Sequence, residues 1–200
     1  MAIKVANNQS LSAITALPSG VSGGAMNLLE TQTASSSATI SFTSGIDSTY
    51  KEYIFKFIDI HPATDSVTFS FQGSTNSGSS YGVTATTSFF NAYHDEADST
   101  TNLGYRTGED LAQSTNFQGF QSNYGNLADE SGAGYLHLFN PSSTTFVKHF
   151  ISRSSNYHAG NYAIDNYFAG YFNTTSAIDA IQFKMSSGTF DGDICLYGIN

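Results

Sequence analysis

Val67, Phe69 and Phe71 alternate strictly with Ser66, Thr68 and Ser70. A period of two places every apolar side chain on one face of a strand and every hydroxyl on the other, so this segment is read as a half-buried β-strand. The chain as a whole favours the same class. Ser, Thr, Gly and Asn together supply 83 of the 200 residues, and all four lose more on entering a helix than Ala, Leu, Glu or Lys. Yet the chain carries 16 Phe and 12 Tyr with only 12% charged residues. Disordered chains lack aromatics and are rich in charge, so this composition belongs to a chain with a packed core.

Further strands obey the same logic. Ile40 and Phe42 begin the series. Tyr50 to His61 reads as a long strand with Tyr53, Phe55 and Phe57 on one face and Ile54, Lys56, Ile58 and Ile60 on the other. Pro62-Ala-Thr-Asp65 turns the chain, and Tyr81 to Tyr93 forms a further strand ending in the acidic turn Asp95-Glu96-Ala-Asp98. Strands are predicted at Tyr135–Phe139, Thr145–Arg153, Tyr162–Asn173, Ile178–Met185 and Asp193–Ile199. Residues 99–130 are polar and Gly-spaced, longer than a structureless loop normally runs. A short helical turn over Glu109–Gln113 and a strand over Asn116–Tyr124 would shorten that stretch.

Eight to ten strands without a long helical crossover must pair mostly antiparallel, because parallel neighbours need such crossovers. The predicted fold is all-β, an antiparallel two-sheet sandwich of jelly-roll type. It occupies residues 38–200, preceded by an extended N-terminal arm over 1–37 that packs on a neighbour or a larger assembly.

The net charge of −9 excludes a nucleic-acid partner, since counterion release needs clustered Lys or Arg and the chain offers only Lys148-His149. The same sign argument excludes an anionic membrane surface. No apolar run approaches the roughly 20 residues of a membrane span, and no apolar stretch behind Lys4 resembles a secretory signal. Cys195 stands alone between Ile194 and Leu196 and reads as a small buried hydrophobe. Synthesis in a cytoplasm with release by lysis fits these features.

Few motifs carry chemistry. Gly20-Val-Ser22-Gly-Gly24 matches the nucleophile-elbow pattern, but it lacks the strand–turn–helix context that makes such a serine reactive, and a flexible turn is the reading. His61, His94, His137, His149 and His158 show no metal-ligand spacing. His137 and His149 fall inside strand patterns. Asp95, Glu96 and Asp98, like Asp191 and Asp193, lack the order of a dedicated calcium loop and read as solvated turns. No cofactor is indicated. One stretch has the texture of a recognition surface: Asn156-Tyr157-His158-Ala-Gly-Asn161-Tyr162, followed by Asp165-Asn166-Tyr167. Tyr offers broad contact at low entropic cost and Asn adaptable hydrogen bonds, a mixture suited to a glycan or to a subunit contact.

The run Tyr50-Lys-Glu-Tyr-Ile-Phe-Lys-Phe-Ile-Asp-Ile-His-Pro-Ala-Thr-Asp65 resembles a segment of small virion-associated structural proteins of tailed bacteriophages of marine bacteria. Leu138–His149, Gly170–Ile178 and the ending Ile194-Cys-Leu-Tyr-Gly198 fit the same resemblance, which spans about residues 45–200. It implies a non-enzymatic structural component at the virion surface, a capsid-decoration or fibre-like subunit. Its partners would be other virion proteins, and copies of itself with a trimer preferred. A carbohydrate-binding host-adhesion module is the alternative, and a glycan hydrolase using the Asp95 loop a weaker one. The family brings no assigned catalytic or ligand residues with it.

Overall fold

A computed structural model describes residues 24–200. Nucleophile-elbow residues Gly20–Gly23 and the first part of the expected arm lie outside the described residues. Twelve strands account for the described chain, and no helix is found among these residues. They are β1 (Met26–Ser37), β2 (Thr39–Phe42), β3 (Glu52–Pro62), β4 (Val67–Ser74), β5 (Ala85–Asp95) and β6 (Thr101–Tyr105), then β7 (Gln118–Tyr124), β8 (Gly132–Phe139), β9 (Lys148–His158), β10 (Tyr162–Phe172), β11 (Ala180–Met185) and β12 (Phe190–Ile199).

Every pairing is antiparallel, as the lack of crossovers requires. One continuous path runs β1-β12-β3-β8-β9-β7-β4-β11-β2. Its two ends approach each other, and Gln32 Nε2 on β1 donates to the Ser41 carbonyl on β2 at 2.9 Å. The sheet is thus a nearly closed, barrel-like wall. A wing leaves it at β9, where β10 pairs with β9, β5 with β10, and β6 with β5. The step from β9 to β7 rests on one residue pair, Tyr124 with His158.

The alternation seen in the sequence explains the core. Val67, Phe69 and Phe71 on β4 are 5%, 0% and 1% exposed. Phe183 of β11 lies within 5.3–6.4 Å, centroid to centroid, of Phe42, Phe55, Phe57, Phe69, Phe71 and Phe120. Edge-to-face and offset-stacked pairs of this kind add to the burial of ring area. Phe150, Phe168 and Phe172 carry the same aromatic core outward to the root of the wing.

Several expectations are corrected. Met26–Ser37, read as part of an arm packing on a neighbour, pairs along its length with the chain's own last strand. Residues Glu109–Gln113 form no helical turn; the strand expected over Asn116–Tyr124 is present as β7, and the unforeseen β6 shortens the polar stretch further. Ile60, expected beside Ile58, is fully buried while Ile58 is 45% exposed. The cause is a register shift between Phe57 and Ile60, where Asp59 takes a φ of 53° and a β-bulge reverses the facing of the residues beyond it. Lys148 is also wholly buried. Its amine donates to the carbonyls of Phe146 at 2.8 Å and Thr174 at 3.1 Å, and burial pushes its pKa down.

Candidate functional site

Inside the wing the apolar core gives way to a polar layer. On β5 the inward positions are Phe89, Asn91 and Tyr93, and on β10 they are Phe168, Asn166, Ile164 and Tyr162. Asn91 and Asn166 stand directly opposite in the ladder, so their amides meet, with Asn91 Nδ2 donating to Asn166 Oδ1 at 3.4 Å. Asn166 in turn donates to Gln121 Oε1 of β7. All three amides are buried, at 7%, 0% and 2% exposure. A buried amide is costly unless its groups are paired. Gln121 Nε2 nevertheless has no hydrogen-bond partner among the described residues.

These residues line a pocket of about 250 Å³. Buried Phe89 and Ile164 supply its apolar base, and half-buried Arg106, Glu109, Tyr93, Tyr162 and His158 stand at its rim. Arg106 comes directly after β6. Its backbone N–H donates to the Phe89 carbonyl at 2.9 Å, which brings its side chain over the wing. There Arg106 Nε donates to Asn91 Oδ1 at 2.7 Å, and the guanidinium lies 5.2 Å from the Tyr93 ring centroid. The Tyr162 ring meets those of Tyr93 and His158 edge-on, at 5.4 and 5.3 Å. His158 Nδ1 accepts the Gly160 N–H at 2.9 Å, so the neutral ring carries its proton on Nε2. Burial pushes the His158 pKa down, with Asp65 acting weakly against it.

The residues singled out from sequence do not gather in one place. His158 and Tyr162 line the pocket. Tyr157 and Asn161 lie on the other side, where the Tyr157 hydroxyl donates to Glu96 Oε1 at 2.7 Å and meets Asn161 Oδ1 at 3.3 Å. The Glu96 bond pushes the Tyr157 phenol up to about 12. Asn156 is buried, and its Oδ1 has no partner among the described residues. Tyr167 belongs to the outer face of the wing, stacked on Phe90 at 5.0 Å with the Arg153 guanidinium 5.0 Å away. Arg153 holds Asp165 by two bonds of 3.0 and 2.8 Å.

Sequence reasoning passed over Arg106, Glu109, Asn91 and Gln121, and took in Asn166 only within the run Asp165-Asn166-Tyr167. A usable signal existed for Asn91 and Asn166, since each is an amide in the inward phase of a strand whose inward neighbours are apolar or aromatic.

The acidic turns do other work. Asp95 accepts from the Ser99 and Thr100 backbone N–H groups, both at 2.8 Å, and from Ser99 Oγ at 2.5 Å. Those bonds hold its carboxyl below the usual range and close the β5–β6 turn. No group of three or more His, Cys, Asp or Glu among the described residues is placed to hold a metal ion. Cys195 is free and buried. No helix among the described residues is long and apolar enough to cross a membrane.

Compared with protein-family models, curated proteins and solved structures, the chain matches none.

Proposed function

We propose that this chain is a non-enzymatic structural subunit at the surface of a bacteriophage particle, of capsid-decoration or fibre type, which also touches host-surface glycans. The observation that carries the glycan part is the pocket chemistry. Three buried amides, a guanidinium and two tyrosine rings surround a space with an apolar base. A sugar presents the same mixture, hydroxyls at its edge and C–H groups on its face. Glu109 is the one carboxylate among the lining residues, whereas the usual glycosidase needs two flanking the scissile bond. That favours binding over hydrolysis.

The virion part rests on the resemblance over residues 45–200 and on the build of the molecule. A wall of paired strands around an aromatic core suits a rigid subunit of a Ser/Thr-rich chain that is sparsely charged and net acidic. The accompanying fold reading is a two-sheet sandwich of jelly-roll type. In it β2, β11, β4 and β7 form one layer, whose Phe71 and Phe183 face Phe57, Phe150 and Phe168 of the other. Copies are proposed to associate as trimers. Electron cryomicroscopy of the intact particle tests the assignment: density for this fold on the exterior supports it, and its location inside the particle or its absence overturns it.

A further inference from the structure

The apolar base and the orphaned amide of the pocket narrow the ligand class. Resting on the glycan reading above, we infer that the pocket receives a terminal sugar bearing an acetamido group, an N-acetylhexosamine. An acetamido group combines a methyl, a carbonyl acceptor and an N–H donor. Phe89 and Ile164, both buried, provide an apolar seat for the methyl. Gln121 Nε2 is a buried donor lacking a partner among the described residues, and a carbonyl oxygen would satisfy it. Asn166 Oδ1 is engaged only by the long 3.4 Å contact from Asn91 and can accept the sugar N–H.

The rim supplies the rest. The Nε–H of Arg106 is occupied by Asn91, which leaves its terminal nitrogens for ring hydroxyls, and the Glu109 carboxylate accepts from others. At about 250 Å³ the pocket falls just short of the ~300 Å³ at which sites for larger organic ligands begin, so it suits one sugar unit at a chain end. A site that spends a buried donor on a carbonyl rejects a ligand lacking it, because the donor then stays unpaired.

Calorimetric and NMR titration of the full chain with N-acetylglucosamine, N-acetylgalactosamine, glucose and galactose tests this. The expected result is that an N-acetyl sugar binds about tenfold or more tighter than its parent hexose, the effect of roughly one hydrogen bond, with shifts at the Gln121 and Asn166 side-chain amides. Gln121→Leu, near the same size, is expected to erase that preference. Arg106→Ala, at the rim, is expected to weaken all four sugars together. If Gln121→Leu does not fold, the wild-type comparison decides alone. Equal binding of the N-acetyl sugars and hexoses overturns the acetamido inference and leaves the glycan reading standing. Binding of none of the four overturns both.

Discussion

Arg106 and Asn91 are joined by a 2.7 Å hydrogen bond from Nε to Oδ1, so a residue outside the wing strands orients the first amide of the buried polar layer. Asn91 passes that orientation to Asn166, and Asn166 to Gln121. Arg106→Lys keeps the charge but loses the planar fork that bonds Asn91 while lying against Tyr93. It is expected to weaken sugar binding about as much as Arg106→Ala does, roughly tenfold, with little change in the melting temperature. Calorimetry on both variants beside a thermal melt checks this. Full retention of binding by the lysine variant would mean that only charge matters at the rim.

Phe183 stands at the centre of the aromatic core, in ring contact with six other Phe residues. Phe183→Ala removes those contacts and leaves a cavity that a rigid sheet cannot close, so urea unfolding should show a loss of about 3–5 kcal/mol. A loss under about 1 kcal/mol, the range of volume-conserving swaps, would mean the core repacks freely.

Gly192 lies in the β12 bulge with φ of 125°, and a Cβ there would stand 2.6 Å from the Asp59 carbonyl oxygen. Both the backbone conformation and the close approach require glycine. Gly192→Ala is expected to destabilise by more than the ~1 kcal/mol typical of a helix or strand glycine, because the β3 bulge at Asp59 must shift with it. Urea midpoints compared with Gly108→Ala, where nothing lies within 4 Å of the added carbon, isolate the effect.

The pH dependence of stability should show two separate windows. Burial holds the His158 pKa below 6.5 in the folded state, so as pH falls the unfolded chain takes up that proton first. Stability is therefore full above the unfolded value, and it declines as pH drops from about 6.5 toward the lower folded value. His158→Gln should flatten this window. Asp47, Asp95 and Asp165 are also lowered. Their contributions are present above 3.8 and vanish as pH falls through the folded values, giving a second, acidic loss. Melts from pH 4 to 8 that show no His158-dependent slope would contradict the burial argument.

Tyr167 and Phe90 stack on the face of the wing away from the pocket, with ring planes 3° apart. Tyr167→Ala should leave sugar affinity unchanged while lowering the melting temperature slightly. A loss of affinity in that variant would move the ligand to the outer face.

Much of the wall was legible because its strands alternate with one buried face. Tyr53, Phe55, Phe57, Phe69 and Phe71 are inward both by pattern and in the structure. The failures were local. A bulge at Asp59 costs one residue of register and turned Ile60 inward, and no period-two count registers an extra residue. Met26–Ser37 has almost no apolar alternation; its pairing comes from backbone bonds to β12, which side-chain patterns do not report. The pocket was half legible. The Tyr/Asn composition led to His158 and Tyr162, yet the alternation of β9 puts Tyr157 on the face opposite His158, where Asn161 of the following turn meets it. Arg106 and Glu109 reach the site only through the β5–β6 pairing, a long-range fact absent from their neighbourhood in sequence.

The most direct test of the glycan-pocket account is a ¹⁵N-resolved NMR titration of the full chain with polysaccharide purified from the host cell surface. The account predicts chemical-shift changes concentrated at the side-chain nitrogens of Asn91, Arg106, Gln121 and Asn166. Changes confined to Phe90, Arg153 and Tyr167 on the outer face, or none anywhere, would contradict it.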